Sequence, residues 1–407
     1  MVMLWELQGL PYLHPLLSGF YMYRAAIACI LGCLLASNNV FSQVGGQEGQ
    51  YRFVSLHFNT GGLFYSGTED NNGFKDDYQA FELKLGWQSK RSQEWAGPLN
   101  YPSYGVGLYY GLVGDAQVFG HPHAVFGFMA VPLTQERRLT FQVEPAAGIG
   151  FNLKPYDSLS NPDLSTLGGR FSFYFALQAE ARYRVSRTID LQGGMNFHHM
   201  SNGRVLHPNL GINLLGMRLG ATWHFRRLPK EAIPEQPLQV RPTNGHRTKP
   251  RPNHERSVAL YQAFGVAQNK VDIGTRMQYL TSTTLLEYQR ALNSMHSVSA
   301  GAEVFLDYSA RDTAEYDIPP GSPVFFPAVH AGYGLSFWRL AIRIQAGTYL
   351  TAWGREQKGT FFLRPNLRYD ISPRLFGQVG LKTITTTADW IEFGIGYKFY
   401  RSTTGNE

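Results

Sequence analysis

Residues 170–185 read RFSFYFALQAEARYRV, and the period is two from end to end. Phe171, Phe173, Phe175, Leu177, Ala179, Ala181, Tyr183 and Val185 share one face, while Ser172, Gln178, Glu180, Arg182 and Arg184 share the other. Successive side chains of a strand point to opposite sides, so one side meets an apolar medium and the other a polar one. In a soluble sandwich the apolar side meets a second sheet; in a membrane barrel it meets lipid while the polar side fills the interior. A soluble strand is usually about 5–6 residues long. A run of this length matches a tilted strand crossing a bilayer, and backbone in lipid must be paired throughout, so the sheet has to close.

The same alternation recurs on either side. Phe81, Leu83, Leu85 and Trp87 oppose Glu82 and Lys84; Leu139, Phe141, Val143, Ala147 and Ile149 oppose Gln142 and Glu144. Strands are expected near 51–60, 78–87, 104–112, 121–131, 138–149, 170–185, 188–201 and 209–225. The connections at 61–77 and 150–169 are long and polar, those at 132–137 and 186–187 short, which is the barrel habit of long outer loops and short inner turns. Residues 88–103 depart from it, being a long connection on the inner side. An eight-stranded barrel is narrow enough to be filled by side chains. Glu82, Lys84, Glu144, Glu180, Arg182, Arg184 and Asp190 are therefore expected as a paired interior, not a pore.

Residues 226–256, RRLPKEAIPEQPLQVRPTNGHRTKPRPNHER, are Pro-rich, basic and nearly free of aromatics, the composition of an extended linker. Alternation then resumes. Leu340, Ile342 and Ile344 oppose Arg343 and Gln345; Phe361, Leu363, Leu367 and Tyr369 oppose Arg364, Asn366, Arg368 and Asp370. Ile391, Phe393, Ile395, Tyr397 and Phe399 share one face of the last strand. About eight strands fit in 257–401, so the halves look like an internal repeat. The expected architecture is all-β: two tandem eight-stranded antiparallel transmembrane barrels, 44–225 and 257–407, with one 16-stranded ring as the alternative. Such a linker would be out of place inside one barrel wall. Both halves end in aromatic-rich strands, at 223–225 and 397–400, as an interfacial girdle requires.

Composition agrees. Of 407 residues 16% are charged and 14% aromatic, with 43 glycines, and mean hydropathy is slightly negative. Membrane helices would be far more apolar, and a soluble enzyme more charged. The net charge of +7 concentrates in the linker, with no basic stripe interleaved with aromatics, so nucleic acid is not an expected partner. Residues 25–36, AAIACILGCLLA, follow Arg24 and precede a short polar stretch, the pattern of a signal peptide within 1–43 cleaved near Gln43. Met22 is a candidate true start, and a lipoprotein site at Cys33 is the weaker reading because the apolar run continues past it. Both cysteines, Cys29 and Cys33, lie in this segment, so the mature chain is expected to carry neither disulfide nor cysteine metal site.

The chemistry concentrates in residues 196–218, NFHHMSNGRVLHPNLGINLLGMR. His199 and Ser201 continue the lipid-facing row of Ile189, Leu191, Met195 and Phe197 at its outer end, and Asn213 opens the row of Leu215, Met217, Leu219, Ala221 and Trp223 on the next strand. Polar groups that break two apolar rows at one height belong to an interface or to a function. A serine hydroxyl needs a base in reach, and residues two apart on one strand face lie about 6–7 Å apart at Cα. Asn213 is the candidate to orient the imidazole. Asn202 and Asn209 are candidate oxyanion donors. The competing reading of HHMSNG is a polar strand end followed by a turn. A metal site is disfavoured, since His198 and His199 point to opposite faces and no acidic cluster joins them.

His199-Met200-Ser201-Asn202 on a late strand, followed by Pro208-Asn209-Leu210-Gly211 opening the next, resembles the outer-membrane lipid A 3-O-deacylase family over residues 50–225. The resemblance implies an outer-membrane enzyme without a cofactor that hydrolyses an acyl ester of lipid A from the outer leaflet, with Ser201 as nucleophile and His199 as base. The family's third member is acidic where this chain has Asn213. An amide orients imidazole but does not offset its charge as a carboxylate does. The loop residues Arg204 and His207 are candidates for contacting lipid phosphates. The second half lacks the motif: its corresponding connection, KTITTTAD at 382–389, has neither His nor Ser and reads as a non-catalytic copy. A catalytically decayed structural or adhesive barrel is the competing function, and a porin a third.

Overall fold

A computed structural model describes residues 51–402 apart from 65–76, 90–92, 94, 135–137, 229–254, 313–323 and 385–386. The expected signal peptide, both cysteines and most of the linker lie outside the described residues. Strands β1 (Arg52–Leu63), β2 (Asp77–Gln88), β3 (Ser103–Val113), β4 (Gly120–Pro132), β5 (Leu139–Leu153), β6 (Ser172–Arg184), β7 (Ile189–Ser201) and β8 (Ile212–His224) form one closed antiparallel barrel. Closure is direct: Phe53 pairs with His224 and Leu63 with Leu214 across β1 and β8. Strands β9 (Arg256–Ala267), β10 (Tyr279–Ala291), β11 (His296–Asp307), β12 (Phe325–Phe337), β13 (Leu340–Tyr349), β14 (Phe361–Asp370), β15 (Leu375–Ile384) and β16 (Thr387–Ser402) form a second closed barrel, sealed by β16 against β9. The single 16-stranded ring is thereby excluded, because each set closes on itself. Both barrels belong to one compact unit, Gln50–Glu407.

The alternation of the sequence is the alternation of the walls. On β6, Phe175 and Leu177 are exposed while Tyr174, Ala176, Gln178 and Glu180 are buried. The exposed rows carry Leu56, Phe81, Val106, Val125, Phe141, Ile149, Met195 and Leu219, an apolar band that only lipid can solvate. Trp223 and Phe225 are exposed at one strand end, as are Tyr397 and Tyr400 in the second barrel.

The first interior is a charge-balanced plug. The expected carboxylates Glu82, Glu144, Glu180 and Asp190 are buried with Lys84, Arg182, Arg184 and one cation the sequence reading left out, Arg218. Arg218 stands at the centre, 3.3 Å from Glu82, 3.6 Å from Glu144 and 3.4 Å from Glu180. Lys84 pairs with Glu144, and Arg184 and His224 hold Asp190 at 2.9 Å each. Such ions persist out of water only when each is paired and hydrogen-bonded. Towards the outer mouth the filling turns aromatic, with Tyr109, Phe126, Tyr174 and His198 in contact and Tyr174 hydroxyl 2.9 Å from His198 Nδ1.

The second interior repeats the scheme. Glu287 meets Arg343 at 2.7 Å and Arg368 at 2.9 Å, and Glu303 meets Arg364 at 2.6 Å. Residues 382–389 are not the open connection expected from the sequence. Pairing of β15 and β16 continues across a register shift to Ile384 and Thr387, which carries Lys382 and Asp389 onto the walls. Both are buried and pair at 2.5 Å, so each ion is compensated where the strands extend. The long inner connection at 88–103 is braced by a 3-10 turn at Gly97–Leu99, and Trp95 packs on Phe337 of the second barrel, ring centroids 6.3 Å apart.

Candidate active site

The β7–β8 pairing sets the site. His199 is the register partner of Asn213, and Ser201 closes β7. Both strands keep an unbroken ladder below them, so the three side chains rise from a rigid wall at one height. His199 Nε2 lies 2.9 Å from Ser201 Oγ and His199 Nδ1 lies 2.7 Å from Asn213 Oδ1. An amide oxygen only accepts, so Nδ1 carries the imidazole proton and Nε2 presents its lone pair to the serine hydroxyl. The result is one hydrogen-bonded line, Ser201 to His199 to Asn213, with the hydroxyl donating and the ring proton donated onward. Ser201 is 8% exposed and His199 and Asn213 are half-buried. Water is thus partly kept from the line while one side stays open.

The Pro-Asn-x-Gly stretch closes over this line. Asn209 Oδ1 accepts the backbone N–H of Asn202 at 2.8 Å, which ties the residue after the serine to the loop leading into β8. Asn202 Nδ2 donates to the Leu206 carbonyl at 2.9 Å. The two oxyanion candidates are therefore bonded to each other, Asn202 being next to Ser201 in the chain, and the Asn202 main-chain donor is already engaged by Asn209. Gly211 has φ +79, and a Cβ there would stand 2.8 Å from His199 Cε1 and 3.3 Å from Ser201 Cβ. Only glycine lets the chain pass this close to the imidazole. Its N–H donates to the Thr166 carbonyl at 2.9 Å, so the β5–β6 loop also buttresses the site.

The remaining candidates separate. His198 faces the interior, buried among Tyr78, Tyr109 and Tyr174. Among the described residues no group of three or more His, Cys, Asp or Glu is arranged to hold a metal ion. His207 is anchored by its backbone, its N–H donating to Gln268 Oε1 at 2.6 Å. Arg204 points away from Ser201 and into the second barrel, where Asp307 and Asp389 flank its guanidinium. The sequence reading did not anticipate these partners, Gln268, Asp307 and Asp389. They lie far along the chain, and no local spacing links them to residue 204.

Residues 81–222 match the family model described as lipid A 3-O-deacylase, and residues 256–401 match the one described as acyloxyacyl hydrolase, C-terminal domain. No curated protein matches. Among solved structures the chain is similar to Neisserial surface protein A, at 9% identity over 44% of this chain and 100% of that one, with a TM-score of 0.29. It is also similar to a triple mutant of the Rhodopseudomonas blastica porin, at 10% identity over 86% of this chain and 100% of that one, with a TM-score of 0.19. The first model spans most of β2 through β8 and leaves β1 outside, and the second spans β9 through nearly all of β16; together they show that this chain of two outer-membrane β-barrels belongs to the lipid A 3-O-deacylase family of ester hydrolases.

Proposed function

We propose that the first barrel removes an ester-linked acyl chain from lipid A in the outer leaflet, with Ser201 as nucleophile, His199 as base and Asn213 as its orienter. The observation that carries this is the hydrogen-bonded line from Ser201 Oγ through both ring nitrogens of His199 to Asn213 Oδ1. It stands at the outer end of a lipid-facing row, the height of an ester bond in an outer-leaflet lipid.

The steps follow from the donors and acceptors. Ser201 Oγ attacks the ester carbonyl carbon while its proton passes to His199 Nε2. The carbonyl oxygen becomes an oxyanion, for which the donors are the Asn209 side-chain amide and the second Nδ2–H of Asn202, since the Asn202 main-chain N–H and its other Nδ2–H are engaged by Asn209 and the Leu206 carbonyl. Collapse breaks the C–O bond to the glycan, and the leaving alkoxide takes the proton from Nε2. Water, deprotonated by the same nitrogen, then attacks the acyl-serine; the acyl C–O bond to Ser201 breaks, Oγ takes the proton back from Nε2, and the fatty acid is released. Asn213 holds Nδ1–H throughout, so Nε2 faces the serine at every stage.

The protein in detergent, given purified lipid A, is expected to release one fatty acid per molecule, read by mass spectrometry. Ser201→Ala is expected to abolish release while the barrel keeps its heat-modifiable migration; undiminished turnover in that variant removes Ser201 from the mechanism. One observation favours a second reading, a catalytically decayed structural or adhesive barrel: residue 213 is an amide and cannot offset an imidazolium. Identical lipid A acylation in cells with and without the protein is the outcome that reading requires.

A further inference from the structure

The loop that follows Ser201 is held from the other barrel. Beyond Asn202 the backbone turns through two left-handed residues, Gly203 at φ +63 and Arg204 at φ +67, a conformation that strains a residue with a Cβ. The turn throws the Arg204 side chain into the outer mouth of the second barrel. Nη2 lies 3.1 Å from Asp389 Oδ1, 3.3 Å from Asp307 Oδ2 and 3.1 Å from Ser309 Oγ, while Nε donates to the Asp389 carbonyl at 2.7 Å. The backbone is gripped as well. Gln268 N–H donates to the Arg204 carbonyl at 2.8 Å, its Oε1 accepts from His207 N–H at 2.6 Å, and Gln278 Nε2 donates to the Val205 carbonyl at 3.1 Å. Ile391 of β16 occupies the space a side chain at Gly203 would need, 2.4 Å from the ideal Cβ.

Charge arithmetic says the second barrel does not require this arginine. Asp307 and Asp389 are already paired with Lys358 and Lys382, two carboxylates with two ammonium groups. Arg204 adds a further cation to a cluster that balances without it, and spends a strained backbone to get there. What it gains is a fixed position for residues 202–209, the segment that joins Ser201 to Asn209. That segment also carries Asn202, whose N–H Asn209 holds.

We propose that the second barrel is a positioning platform for the first. Its outer mouth clamps Arg204 and so fixes where the Asn202 and Asn209 amides stand relative to Ser201. Arg204 is a positioning residue acting through these two asparagines. The inference rests on Ser201 being the nucleophile. It also gives the second barrel, whose β15 and β16 carry no histidine, a role that needs no chemistry of its own.

The test uses the full chain in detergent, with lipid A as substrate and active sites titrated by a fluorophosphonate. Arg204→Ala is expected to lower kcat per titrated site by about 10- to 100-fold with KM within about twofold, because misplacing a donor costs the transition state and not substrate binding. Arg204→Lys, which reaches the carboxylates without the planar fork, is expected to recover part of the loss. Gln268→Ala leaves every charge in place and is expected to lower kcat in the same sense, so the proposal stays testable if Arg204→Ala does not fold. A wild-type kcat per titrated site in a folded Arg204→Ala or Gln268→Ala variant overturns the clamp, even if heat stability falls, since that pattern marks mere attachment of one barrel to the other. Ser201→Ala is run beside them. Retained turnover there removes the nucleophile itself, whereas a dead Ser201→Ala with a fully active Arg204→Ala sinks the clamp alone.

Discussion

His199 and Asn213 face each other across the β7–β8 pair as register partners, and the imidazole Nδ1 stands 2.7 Å from the amide oxygen. The contact fixes tautomer and ring orientation without supplying negative charge. Asn213→Asp keeps the size and register of the side chain and turns the contact into a charge-assisted hydrogen bond, worth roughly 1.5–3 kcal/mol. If the imidazolium of the transition state is the species it stabilises, kcat rises by about 10-fold or more. Asn213→Leu is expected to lower it. Steady-state hydrolysis of lipid A by both variants checks the sign, and a fall in the Asp variant would show that the amide is preferred.

Gly211 presses on the catalytic imidazole from the next strand. With φ +79 and an ideal Cβ 2.8 Å from His199 Cε1, Gly211→Ala must displace the ring or the loop. Strain of this kind costs about 1–3 kcal/mol locally. Turnover is expected to fall by at least an order of magnitude while the folded, heat-modifiable form persists, because the clash lies at the rim and not in the plug. Wild-type turnover would show that His199 need not stand where it does.

Arg218 is the hub of the first interior, with Glu82, Glu144 and Glu180 all within 3.6 Å. Arg218→Met leaves Lys84 as the cation beside Glu82 and Glu144. Removing one member of a buried ion network usually costs about 3–5 kcal/mol. Unfolding in denaturant, followed by gel migration of the folded band, should shift by that amount. Little change would mean that water enters the interior and solvates the carboxylates.

A plugged interior also forbids conduction. Arg218, Phe126, Tyr109 and Tyr174 are fully buried across the first barrel, as are Arg364, Tyr349 and Trp390 across the second. Reconstituted protein is expected to show no steady single-channel conductance in a planar bilayer. A stable open level would point to a wet lumen and revive the porin reading.

On the lipid side, Met217 and Leu219 are exposed outward on β8. A lysine near mid-membrane on this face is expected to destabilise the barrel by about 2–4 kcal/mol, falling towards zero near the interface. Leu219→Lys compared with Leu215→Lys, which lies nearer the outer end, tests this depth dependence. Equal costs at both sites would contradict the assigned membrane height.

Much was legible one strand at a time, because the period of two records which side of each wall meets lipid. Residues 170–185 alone separate Phe175 and Leu177 from Gln178 and Glu180, and the structure places them outside and inside accordingly. The same parity puts His199, Ser201 and Asn213 on one rim, since residues two apart on a strand and register partners across a hairpin are near neighbours by geometry. Tertiary structure alone decided what depends on contacts between residues distant in the chain. Closure of each set of strands on itself rests on pairs such as Phe53 with His224. Arg218 meets Glu82, 136 residues away, only through barrel closure. Arg204 shows the limit most clearly. Beside the nucleophile it read as a lipid contact, yet its charge is held by Asp307 and Asp389, residues no local pattern could pair with it.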